Sequence, residues 1–172
     1  MSESSPTRRI GKVMMILAWV AGLFLAVQGF AGVEERKRNP NQMPASMLDG
    51  DAVEVRLLAN RQGHYLLNGQ INGQEVTFLL DTGATFVAIP ASVAQRLQLP
   101  QGRRFQVNTA NGTADSFATT IDRLQLGDIH LRDISAGIVP GMGGNDILLG
   151  MSALQQLEFS QQGGELILRQ YP

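Results

Sequence analysis

The chain contains no cysteine, which excludes disulfides, thiolate metal sites and a cysteine nucleophile. It has only two histidines, His64 and His130. They are far apart and have no ligand spacing, so no metal site is expected. Net charge is also lacking: 14 Lys and Arg against 15 Asp and Glu leave a formal balance of -1. A chain this close to neutral has no general electrostatic reason to bind nucleic acid. No serine sits in a Gly-x-Ser-x-Gly elbow, and the glycine loop Gly141 to Gly144 is not followed by Lys-Ser or Lys-Thr. A serine-hydrolase elbow and a phosphate-binding loop therefore have no support. The 172 residues are enough for one domain.

What is present begins with a polar, basic tail, residues 1–12, carrying Arg8, Arg9 and Lys12. From Val13 to Val33 the chain is continuously apolar, with Gln28 as its only strongly polar side chain. About twenty such residues cross the hydrocarbon core as a helix, so residues 13–33 read as a transmembrane anchor. The runner-up is a cleaved signal peptide with Gly29-Phe30-Ala31 as a poor small-x-small site, but the run is longer than a signal core. A buried helix is disfavoured, because the segment is apolar on all sides. Arg8, Arg9 and Lys12 favour a cytoplasmic N-terminus, while Arg36, Lys37 and Arg38 stand just beyond the span. A short tail before a large domain fits a single-pass protein of a bacterial inner membrane, with the domain on the periplasmic side. Glu34 to Asp51 is charged and then rich in Asn, Pro, Gln and Met. Pro40 and Pro44 stop any continuing helix, so residues 34–51 are expected to be a flexible linker.

From residue 52 to 172 the pattern is that of strands. Val53, Val55 and Leu57 alternate with Glu54 and Arg56. His64 to Ile71 and Glu75 to Leu80 flank Asn72-Gly73, a strong hairpin signal. Arg103 to Thr109 and Thr113 to Thr120 flank Asn111-Gly112, a second one. A last hairpin is expected around Gly163-Gly164. Helical turns are predicted only at Ser92 to Leu97 and Met151 to Leu157. Many short strands with frequent turn signals predict an all-β barrel or sandwich.

One stretch carries chemistry. Phe78-Leu79-Leu80-Asp81-Thr82-Gly83-Ala84-Thr85 runs from apolar side chains straight into a carboxylate, a hydroxyl and a glycine. A carboxylate at the end of an apolar strand is a candidate acid or base. The bland alternative is a strand-to-turn junction, since Asp, Thr and Gly are ordinary turn residues. Two carboxylates sharing a proton make a better catalyst than one, because like charges a few Å apart cannot both ionise. The sequence has no second Asp-Thr-Gly or Asp-Ser-Gly. The partner is then expected from Asp81 of a second chain across a two-fold axis.

Leu80-Asp81-Thr82-Gly83-Ala84-Thr85 resembles the active-site motif of retroviral-type (retropepsin-like, clan AA) aspartic proteases. Ile147-Leu148-Leu149-Gly150 is similar to the second element of that family, two apolar residues and a glycine ahead of a short helix. The hairpin around Asn111-Gly112 falls where the family places its flap. Gly63-His64-Tyr65, Ile71-Asn72-Gly73, Thr109-Ala110-Asn111-Gly112 and Leu149-Gly150-Met151-Ser152 resemble a membrane-anchored bacterial branch. The resemblance covers about Asp51 to Arg169.

It implies a retropepsin-like closed barrel and a homodimeric aspartic endopeptidase without cofactor, acting on peptide or protein substrates. By the same resemblance Asp81 is the catalytic residue, with Thr82, Gly83 and Ala84 supporting it. Thr82 would brace the two active-site loops across the dimer, and Gly83 would turn its N–H toward the carboxylates. Ala110, Asn111, Gly112 and Thr113 would close over a bound peptide, and Leu148, Leu149 and Gly150 form the second motif. Met151 stands where the viral enzymes carry Arg, so the salt bridge they make there has no counterpart. An apolar groove is expected around Phe78, Val87, Ile89 and Ile138, and a pH-dependent rate with its best value on the acidic side. The alternative is a non-catalytic peptide-binding or scaffold domain of the same fold, in which an extended peptide adds as a strand without being cut.

Overall fold

The computed structural model describes residues 6–109 and 112–172. The chain divides into two units, Met1–Lys37 and Arg38–Pro172. The first is almost wholly helix α1, Pro6–Arg38, which ends at the start of the second unit. Within α1 a window of mean hydropathy 2.2 makes the helix long and apolar enough to cross a membrane. Apolar side chains point outward all around it, from Ile10 through Trp19 and Phe24 to Val33.

The second unit is built of strands. In chain order they are β1 Ser46–Asp49, β2 Ala52–Leu58, β3 Leu66–Ile71, β4 Gln74–Leu80 and β5 Val87–Pro90. Then come helix α2 Ala91–Arg96, β6 Arg104–Thr109, β7 Gly112–Leu126, β8 Ile129–Val139 and β9 Ile147–Leu149. Helix α3 Met151–Leu154 and the hairpin β10 Glu158–Gln162 with β11 Glu165–Gln170 complete it. One sheet runs β3-β4-β9-β5-β8-β7-β6, and a further pairing of β3 with β7 closes its first six strands into a barrel. β6 lies outside this closure and pairs only with the first part of β7, Gly112 to Phe117. A second sheet, β1-β2-β11-β10, stands apart.

The barrel fills with the side chains that strand alternation turns inward. Phe78, Ile89, Ile121, Leu124, Ile134, Ile138 and Ile147 are fully buried in it. Asn72 takes a left-handed φ of 50° at the β3–β4 turn, as the Asn-Gly signal predicts.

Two findings depart from the sequence reading. Phe78, Val87, Ile89 and Ile138 were expected to line a groove, but all four have 0% exposure. They are core residues, because the strand ends beside the motif turn their apolar faces into the barrel. The stretch expected as a flexible linker is also partly built into the fold. Asn39 and Asn41 are buried. The Asn41 amide donates to the carbonyls of Leu66 at 2.6 Å and Leu58 at 3.0 Å, and its oxygen accepts from the Leu58 N–H at 2.8 Å. Asn39 donates to the Asn68 side chain at 2.8 Å, and β1 pairs along β2. Pro40 does stop the helix, but its Asn neighbours then satisfy backbone groups that would otherwise be orphaned at strand ends.

Candidate active site

The site forms where three strand ends meet. β4 and β9 run parallel, with Leu79 beside Leu148 and Leu80 beside Leu149. β5 lies on the other side of β9 and runs antiparallel to it, with Ala88 beside Leu148. The loop from Asp81 to Phe86 therefore crosses over the end of β9, and Gly150 passes beneath it. A methyl group on Gly150 would lie 2.2 Å from the Phe86 carbonyl oxygen and 2.7 Å from that of Ala84. Only glycine allows this approach. The same crossing laces the loop down. The Met151 N–H donates to the Ala84 carbonyl at 2.8 Å, and the Ser152 N–H to that of Thr85 at 3.1 Å.

Asp81 sits directly after β4. Its backbone N–H donates to the Leu149 carbonyl at 3.2 Å, and its carbonyl accepts from the Ala84 N–H at 3.1 Å. The Gly83 N–H donates to its Oδ1 at 2.9 Å. This turn holds the carboxylate in one place, and among the described residues no cation pairs with it. Among the described residues no donor reaches its Oδ2, and the residue is half-exposed. The strand neighbours therefore do not bury it within one chain. Thr82 and Gly83 are exposed beside it, Ala84 is half-buried, and the Thr82 hydroxyl makes no hydrogen bond among the described residues. Leu149 and Gly150 are buried and Leu148 is half-buried. The second motif thus shapes the loop from below and offers no reacting group.

The expected flap residues fall unevenly. Thr109 pairs with Gly112, so Gly112 belongs to the strand, with φ 106°. Ala110 and Asn111 lie outside the described residues. Thr113 is exposed, and its hydroxyl donates to the Asn108 side chain at 3.4 Å. Lower on the hairpin Arg104 and Asp115 form an exposed ion pair across the strands, which holds the Asp115 carboxyl below the usual carboxylate range.

Sequence reasoning assigned no role to three groups. Ser152 joins separate elements: its hydroxyl accepts from the Val87 N–H at 3.0 Å and donates to the Ser135 carbonyl at 2.7 Å. Phe86 and Phe105 meet edge to face, with centroids 5.4 Å apart. They do so over Gly137, where a methyl group would be 2.4 Å from the Phe86 ring. This stack ties the base of the β6–β7 hairpin to the Asp81 loop. A glycine inside a strand is the one signal that could have marked it.

The chain is similar to several known proteins. Residues 67–156 match the family described as gag-polyprotein putative aspartyl protease. The chain is 29% identical over 167 residues to an uncharacterized protein in the cobV 5' region of a Sinorhizobium species, covering 90% of this chain and 72% of that one. It is 25% identical over 133 residues to an uncharacterized protein of Rickettsia prowazekii strain Madrid E, covering 75% of this chain and 56% of that one. Among solved structures, a retropepsin-like aspartic protease from Rickettsia conorii superposes with a TM-score of 0.56 at 29% identity. That match covers 67% of this chain and 98% of the other.

Proposed function

Because the chain belongs to the retropepsin-like aspartic protease family, we propose that it is a membrane-anchored aspartic endopeptidase working as a homodimer. Helix α1 is the anchor, in a bacterial inner membrane with the domain on the periplasmic side. The two Asp81 carboxylates share one proton and hold a water between them. The charged carboxylate takes a proton from this water as the water oxygen attacks the scissile carbonyl carbon. The other gives its proton to the carbonyl oxygen. As the resulting tetrahedral carbon collapses, the first carboxyl passes the proton it took to the nitrogen, the second takes a proton back from a hydroxyl, the C–N bond breaks and the amine leaves, with one proton again shared by the pair.

What supports this reading most is the placing of Asp81 at the crossing of β4, β9 and β5. One oxygen is held by the Gly83 N–H at 2.9 Å, and no donor among the described residues reaches the other. A carboxylate fixed in that way, half-exposed and in a chain with a single Asp-Thr-Gly, suits pairing with a second one. The exposed Thr82 hydroxyl beside it suits the cross-brace between two loops. The β6–β7 hairpin suits closure over an extended peptide, whose backbone would add to strand edges.

The test is Asp81→Asn in the full chain, assayed in detergent on denatured casein. Loss of the general base predicts a rate lower by about 10²–10⁴-fold or more, with the unfolding midpoint kept near that of the parent. Cleavage at the parental rate by the purified variant would overturn the peptidase reading. Peptide binding without any hydrolysis by the parent would favour a binding domain of the same fold.

A further inference from the structure

The residues just past the apolar run of α1 point to the substrate class. Only four residues, Glu34 to Lys37, separate Val33 from the start of the folded domain at Arg38. They belong to α1, where they rise about 6 Å in all, and even fully extended they would reach only about 14 Å. No slack follows them. The Arg38 carbonyl accepts from the Asn60 amide at 3.0 Å, and the Arg38 guanidinium pairs with Asp146 at the start of β9. Asn39 and Asn41 are then locked into the β2 and β3 ends. The tether is therefore far shorter than the linker that the composition of residues 34–51 predicts.

Resting on the anchored-peptidase reading, we propose that the substrates are peptide segments close to the same membrane. These are stalks and juxtamembrane loops of proteins attached on the domain's own side. A body the size of Arg38–Pro172 has a radius of gyration of about 14 Å, so no point of it is more than about 40 Å from its own start. Asp81 then works within about 50 Å of the bilayer. A segment fixed in that layer meets the site at the effective concentration of a short tether, in the millimolar range. A segment held farther out on a stiff stalk does not meet it at all.

The experiment places the full chain in phosphatidylethanolamine–phosphatidylglycerol vesicles with a single-span reporter. The reporter carries, beyond its span, the casein segment that the detergent-solubilised chain cuts. A stiff Pro-rich spacer of about 5 or about 40 residues puts that segment about 15 or about 120 Å out. The near probe should be cut at least about tenfold faster. Inserting the same long spacer between Lys37 and Arg38 should make the far probe the preferred one, with cutting of the free casein peptide unchanged. Equal rates on near and far probes, with the free peptide still cut, would overturn this inference and leave the peptidase reading standing. Failure to cut the free peptide would instead overturn the peptidase reading, and this inference with it.

Discussion

Gly150 leaves no room for a side chain beneath the loop that carries Asp81. Gly150→Ala puts a methyl group against two backbone oxygens that the surrounding strands hold in place. It should cost about 3 kcal/mol or more in urea unfolding. Ser152→Ala is a milder test of the same loop. It leaves the Val87 N–H and the Ser135 carbonyl without their partner, worth about 1–3 kcal/mol. It should also lower kcat more than it raises KM, because the loop it steadies positions the reacting group and does not bind the peptide. Equal loss in both constants would speak against positioning. Asp81, Thr82 and Gly83 were legible in the sequence because their chemistry and their order sit in consecutive residues. Ser152 was not, since a serine at a helix start is an ordinary cap, and its two partners lie 65 and 17 residues away. Phe78, Val87, Ile89 and Ile138 were misread for the same reason, because nearness to a motif in sequence does not say which face of a strand looks outward.

Another residue gives a signature in acid. Glu54 is fully covered, and burial alone would push its carboxyl up. Hydrogen bonds from Arg56 at 2.6 Å and Arg169 at 2.8 Å, with their positive charges, outweigh burial and hold it below the usual carboxylate range. Its folded pKa is thus lower than its unfolded one. The stability it contributes is present in full above the ordinary carboxylate range and is lost as pH falls through the lowered value. Glu54→Gln should therefore be less stable than the parent near neutrality, with the gap closing in acid. Urea unfolding at several pH values checks this, and a gap that stays constant down to strong acid would contradict it.

At the scale of elements, the barrel was legible and its entrance was not. The Asn-Gly turn, the alternation in β2 and the motif at the end of β4 each announce their strand locally. β1 and the Asn39–Asn41 clasp do not, because Asn-Pro-Asn reads as a turn in any context and a four-residue strand with three exposed residues in a row makes no periodic pattern. Their role exists only once β2 and β3 present open backbone groups. Asn41→Ala should cost about 3 kcal/mol, since it strips one N–H and two carbonyls of their partner at once. A soluble chain beginning at Arg38 should unfold at a clearly higher temperature than one beginning at Ala52. The shorter chain loses the clasp and exposes the edge of β2 that β1 covers. Equal melting temperatures would mean that residues 38–51 add nothing to the fold.

The whole molecule holds one Asp-Thr-Gly, so a dyad requires two chains. How strongly two chains associate is constrained by what each has already used within itself. β11 is paired on both sides, with β2 and β10 of its own chain, so neither of its edges is open to a partner. Met151 packs on the core where a salt-bridging arginine stands in the viral enzymes. Both features remove contacts that would hold a dimer together in dilute solution. If α1 is the anchor proposed above, it would offset that loss, because confinement to a surface raises the encounter rate of weak partners without any new contact. In detergent at low concentration the rate per chain should therefore climb with enzyme concentration, so that the total rate follows its square, and should level off once dimers dominate. In vesicles at the same total concentration the rate per chain should be higher, and should respond to the number of chains per vesicle and not to dilution of the vesicles. Mixing excess Asp81→Asn with parent supplies the control. In a dimer that needs both carboxylates it should suppress the parental rate in proportion to the mixed pairs formed, whereas independent monomers would be unaffected.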